Sequence, residues 1–118
     1  MARMVLQHLV AIVLFVVAGL LEVHGDAKIR EGIGSWRWVP AVSGAMALVI
    51  YGLFVNLAIA FKLIDWKFSK QLGVYVAIFA AVTSVYGVRR LNEHIEMLHW
   101  IGLSMVIVGG VVIAFSRN

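Results

Sequence analysis

Glu22 stands at the far end of an apolar run, LVAIVLFVVAGLL, and is followed by VHGDAK. An acid within hydrocarbon costs about 3 kcal/mol on insertion scales, so such a group usually faces a wet cavity or a partner. Residues three and four positions away share its helical face, and these are Ala18, Gly19, Gly25 and Asp26. Three of the four are small, which lets another helix approach closely or leaves room for a ligand beside the carboxyl. Burial disfavours the charged form of an acid, so a sheltered carboxyl can hold a proton or a cation in turn, which is the basic requirement of proton-coupled exchange. The plainer alternative places Glu22 near the membrane surface, its carboxylate reaching out to the headgroups. Asp26, one turn further along, reads as an interfacial residue.

A second set of groups lies at Tyr75, Phe79, Thr83 and Tyr86, whose spacings of four, four and three put them on one helical stripe. Aromatic faces attract organic cations, and hydroxyls can bond a substrate or a carboxylate, so the stripe is a candidate cavity wall opposite Glu22. Helix packing alone would account for it equally well. Asn56 is the one amide within a long apolar run and could reach either that cavity or a neighbouring helix, packing being the simpler use. Gly102 and Gly109 are seven residues apart and share a face, with Gly110 adjacent, as a close helix contact in lipid requires. His24, His94 and His99 lack the spacing of a ligand set, and there is no cysteine, so no metal site and no disulfide are expected. There is no paired nucleophile and base and no glycine-rich phosphate loop, which leaves neither an enzyme nor a cofactor to expect.

The elements that carry these groups follow from composition. The chain of 118 residues is 63% hydrophobic and 14% charged, the latter about half the share of a soluble domain, and its mean hydropathy is +0.98. Four apolar runs near 20 residues, the length that crosses about 30 Å of hydrocarbon, nearly exhaust it. They cover about 4–25, 39–61, 71–88 and 97–115, the first running either from Met4 to Val23 or from Leu9 to Ile29 because its downstream end fades into Asp26 and Lys28. None alternates apolar with polar residues as a lipid-facing strand does. The expected fold is a single all-α domain, 1–118, of four transmembrane helices. Trp36, Trp38, Trp66 and Trp100 all fall at or beside run ends, where indole rings rest at headgroup level. The basic start and apolar centre of the first run also suit a signal peptide, but its small-residue cleavage pattern is poor, so a retained first helix is expected.

Four spans bring both termini to one side of the membrane and divide the ten basic residues into two sets. Arg3, Lys62, Lys67, Lys70 and Arg117 accompany the termini; Lys28, Arg30, Arg37, Arg89 and Arg90 lie opposite. Orientation follows the Lys/Arg bias of short loops, so five against five gives no clear instruction. Dual topology, with copies inserted both ways, is the sharper reading; a single charge near the first helix, or a partner, deciding the orientation is the other. The net charge of +4 is scattered through short loops and forms no continuous basic face, so no nucleic acid partner is expected.

Together these residues resemble the small multidrug resistance (SMR) transporters. That family's first-helix pattern is matched by Ala18, Glu22, Val23 and Gly25, and IGLSMVIVGGVVIAFSR is similar to its fourth-helix dimerisation segment, with Gly102 and Gly109 at matching places. The segments VPAVSGAMALVIYGLFVNL and GVYVAIFAAV resemble the YnfA-type, or semi-SMR, branch. Tyr75 is kept, but Ile78 stands where typical multidrug members have Trp, with Phe79 an approximate substitute, so drug specificity does not transfer. The resemblance covers nearly the whole chain. It implies an antiparallel homodimer in a bacterial inner membrane, with the two Glu22 carboxyls meeting in a central cavity that exchanges protons for a small, cationic or polar substrate. From a different class, a non-transporting scaffold or accessory subunit would use Glu22 to pair with a basic group of another protein.

Overall fold

The computed structural model describes residues 1–117. It contains four α-helices joined by short loops: α1 from Ala2 to Gly34, α2 from Trp38 to Ala60, α3 from Phe68 to Arg90 and α4 from Met97 to Ala114. All four are long and apolar enough to cross a membrane.

The longest helix departs furthest from its apolar run. Beyond Glu22 the chain turns polar, HGDAKIREGIG, yet it holds no proline, and Lys28 and Glu31 pair one turn apart at 3.2 Å. Nothing breaks the backbone ladder, so α1 continues for 33 residues. At 1.5 Å per residue that is about 50 Å, well beyond the hydrocarbon thickness, so α1 must tilt or project from the bilayer. Apolar composition measures a span, whereas backbone hydrogen bonding sets a helix, and here the two lengths differ.

No N-cap side chain bonds its helix, and backbone turns close the C-terminal ends of α1 and α2. Trp36 and Lys62 take left-handed φ values of 54° and 57°. Trp36 N–H then reaches Ile33 O and Arg37 N–H reaches Gly32 O, while Lys62 N–H reaches Ile59 O and Leu63 N–H reaches Ala58 O. Both are the paired bonds of a Schellman motif, a place where glycine is usual. Asn92 adopts the same conformation after α3, which suits its tolerance of that region.

α1 is the central helix: it packs along α2 and α3, and α3 in turn carries α4. On α1, Ala11, Phe15 and Ala18 are fully buried, and around them gather Leu14, Val55, Ala58, Ile64, Val74 and Tyr75. One close helix approach is between Gly25 of α1 and Gly44 of α2. A Cβ on Gly25 would lie 2.8 Å from Gly44 O, and one on Gly44 2.5 Å from Gly25 O. At the end holding the termini, His8 of α1 bonds Ala114 O at 3.0 Å and stacks on Phe115, with Trp66 against its edge. The chain measures 50 × 36 × 20 Å. Such a thin body leaves most large apolar side chains facing outward, including Val13, Val49, Leu53, Met105, Val108 and Val112. In water that would be an aggregating surface; in a bilayer it is the solvent-matched one.

Candidate functional site

Glu22 lies on the packed side of α1. Its neighbours Ala18, Gly19 and Gly25 are buried, Asp26 is exposed, and Glu22 itself is half-buried. The small residues therefore serve close packing on both flanks: Gly25 faces Gly44 of α2, and Gly19 faces Val82 of α3. The carboxyl is left in the angle between the three helices.

Tyr75 of α3 enters that angle and donates its hydroxyl to Oε2 of Glu22. The ring is 6% exposed and is held by aromatic neighbours from all three helices. Phe15 of α1 meets it edge-on at 5.6 Å, Tyr51 of α2 stacks at 5.8 Å, and Phe79 of α3 stacks at 6.0 Å. Offset stacks and edge contacts of this kind fix a ring more firmly than area burial alone. The side chain of Tyr51 also interacts with Glu22 and with Tyr75. The unit is thus one carboxyl, two phenols and two phenyl rings, able to hold a negative charge through hydroxyl donors and a positive one against ring faces.

The structure separates the remaining candidates. Phe79 belongs both to the aromatic group and to a recess of about 170 Å³ further along, which Thr83, Tyr86, Asp26, Arg30 and Glu93 also line. Thr83 donates to Phe79 O at 2.7 Å, within its own helix. The Tyr86 hydroxyl lies 3.4 Å from His24 Nδ1. The stripe Tyr75, Phe79, Thr83, Tyr86 is therefore continuous along α3 but serves two places. Asn56 is exposed and donates to Gly52 O of its own helix at 2.8 Å. Gly102 and Gly109 face open space, with no atom within 4 Å of where a Cβ would stand, whereas Gly110 is buried against Ala77 of α3. The glycines of α4 thus point two ways, one into the chain and two out of it.

Two participants were not singled out by sequence reasoning. Tyr51 occurs in a charge-free run with Ser43 and Asn56 as the other polar interruptions; that it, and not Asn56, faces Glu22 depends on the rotation of α2. Phe15 is one apolar residue among many, seven positions before Glu22 and so on the same face. His99 in the first turn of α4 meets the buried Ser84 of α3 at 3.3 Å. Among the described residues no three His, Asp or Glu side chains converge as a metal site would require.

Four spanning-type helices packed around an apolar interior, with an apolar exterior, define a multi-pass membrane protein. Its relatives are bacterial membrane proteins. The chain is 29% identical over 108 residues to a UPF0060 membrane protein of Synechocystis, covering 88% of this chain and 92% of the relative. It is 27% identical over 115 residues to the UPF0060 membrane protein YfjF of Bacillus subtilis, covering 92% and 95%. No protein-family model matches the chain, and no solved structure does.

Proposed function

We propose that this protein exports a small cationic or polar compound in exchange for protons, in the manner of the SMR transporters it resembles, and works as an antiparallel homodimer. The observation that carries this reading is the hydrogen bond from Tyr75 to Glu22, made in the junction between helices. When Glu22 is ionised, the Tyr75 hydroxyl supplies a donor that partly replaces lost water. A cationic substrate entering beside the carboxyl gains the charge of Glu22 and the ring faces of Tyr51, Tyr75 and Phe79. A proton arriving at the carboxyl removes the attraction and releases the substrate. Because the same oxygen atoms serve both ligands, neither crosses with the other, and alternating access turns this competition into exchange.

The second copy enters for a physical reason. In a single chain the outward faces of α2 and α4 are bare, and the junction at Glu22 is walled by three helices only. An inverted copy would bring a second carboxyl and close the cavity. Balanced loop charges and the outward glycines Gly102 and Gly109 support this arrangement.

The test is flux in proteoliposomes loaded with candidate amines and guanidinium compounds under an imposed proton gradient. Unaltered protein is expected to drive counterflow of protons and substrate, and Glu22→Gln, which keeps shape and loses the titrating group, to abolish it. Equal flux through both would remove the proposal and leave the accessory-subunit reading, in which Glu22 pairs with a basic group of another protein.

A further inference from the structure

A groove of about 400 Å³ runs down the outer side of the α1–α3 contact, away from Glu22. Its long walls are Val16 and Leu20 on α1 and Val82 and Val85 on α3, and at the end of α3 it finishes at Arg89 and Arg90. The order is dictated by helix geometry: Val82, Val85 and Arg89 follow one another on one face at spacings of three and four. Val85 and Leu20 are about half exposed, both arginines are exposed, and neither arginine is ion-paired among the described residues. No acidic side chain lines the groove.

We infer that this groove is a binding site for one anionic phospholipid, its phosphate held by Arg89 and Arg90 and an acyl chain laid between α1 and α3. The occupant is specified by the order of chemistry along the groove. An apolar channel faces hydrocarbon and leads to a pair of guanidiniums at the level where a spanning helix ends. A phospholipid joins a chain to a phosphate in that same order, and guanidinium groups match phosphate oxygens in a two-point geometry that an ammonium lacks. Basic pockets between spanning helices select anionic headgroups on the same principle. A protein segment filling the groove would have to bring its own acids to the arginines, and the walls provide none to orient it. Arginines in the last turn of a helix also complement its dipole, but that accounts for their charge alone and not for the channel that leads to them.

The experiment uses the full chain in detergent micelles, titrated with phosphatidylglycerol or phosphatidylcholine and read by native mass spectrometry. A photoreactive group on the phosphatidylglycerol acyl chain then maps the contact. Phosphatidylglycerol is expected to bind in preference, with labelling concentrated on Val16, Leu20, Val82 and Val85. The double variant R89Q/R90Q is expected to lose about thirtyfold of that preference, taking the usual attraction of each basic group for an anionic surface. R89K/R90K, which keeps the charge but not the fork, should lose part of it. The control K28Q/R37Q removes two charges from the same side of the membrane and is expected to leave the preference unchanged. Helix content by circular dichroism shows that each variant is folded. Three results would overturn the inference: no preference between the two lipids, labelling spread evenly over the outward apolar residues, or an equal loss in the K28Q/R37Q control. So would efficient cross-linking of Val85→Cys between two copies with lipid excluded, since the groove would then be a protein contact.

Discussion

Tyr75 is fixed before its hydroxyl meets Glu22, because rings from three helices close around it and leave its oxygen little freedom. That order of causes matters for function. A donor that is already in place strengthens its bond to a charge without an entropic penalty at the moment of use. Tyr75→Phe keeps the ring stacks and removes only the donor, leaving a carboxyl short of a partner, a loss of about 1.5–3 kcal/mol for a bond to a charged group. Proton-coupled flux in proteoliposomes should accordingly fall by roughly tenfold or more. Tyr51→Phe is expected to lower flux less, since Tyr75 remains as donor. Asn56→Ala, which removes a bond to its own helix, should leave flux near the unaltered level. A larger effect from Asn56 than from Tyr75 would mean that the aromatic junction is not where substrate binds.

Gly25 of α1 and Gly44 of α2 present no side chain to each other where the helices cross, and Leu48 and Ile29 pack closely beside them. A methyl group cannot be fitted: added to Gly44 it would stand 2.5 Å from the carbonyl oxygen of Gly25, and helices must separate to admit it. Gly44→Ala is expected to destabilise the fold by about 1–3 kcal/mol, the usual range for overpacking, read as a lower unfolding midpoint in a denaturing-detergent titration. Gly52→Ala on the same helix meets nothing within 4 Å and should be neutral or slightly stabilising, because alanine is the better helix former. α4 separates two roles that sequence alone had joined. Gly110 packs on α3, so its enlargement should damage the single chain; Gly102 and Gly109 lie on the bare face. Replacing the outward pair by leucine is expected to leave the helical fold intact while weakening self-association in micelles, measured by chemical cross-linking. A pair of variants that unfolded the chain would show that α4 has a different partner inside it.

Across the whole molecule, most large apolar side chains face outward, as lipid surroundings suit, while the charge pattern gives either insertion direction equal support. Five basic residues flank the termini side and five the other. Replacing Arg3 and Arg117 by alanine would change this to three against five. By the loop-charge rule the richer side stays in the cytoplasm, so the double variant should place its C-terminus outside in most copies. Paired reporters fused at the C-terminus, one active on each side, would show the unaltered chain in both orientations and the variant in one. A single orientation for the unaltered protein would exclude the inverted homodimer proposed here.

Much of this architecture is legible in the sequence because membranes impose simple rules. A run of about 20 apolar residues without charge has few alternatives to a spanning helix, and tryptophans and loop charges mark where the runs emerge. Glu22 stood out for the same reason: an acid bordering so apolar a run is costly unless it reaches water or a partner. The extent of α1 could not be read that way, since its polar half is held by backbone bonds that composition does not report. Nor could the loop turns, where Trp36 and Lys62 occupy positions usually given to glycine. Which neighbour faces Glu22 depends on the rotation and depth of α2 and α3 against α1. Those are fixed by tight contacts such as Gly25 on Gly44 and by ring packing around Tyr75. Sequence therefore determined how many spanning-type helices there are and that the first carries an acid at the end of its apolar run. Only tertiary packing decided that Tyr75 and Tyr51 meet that acid while Asn56 turns away, because interhelical facing is a property of pairs of surfaces and no single helix encodes it.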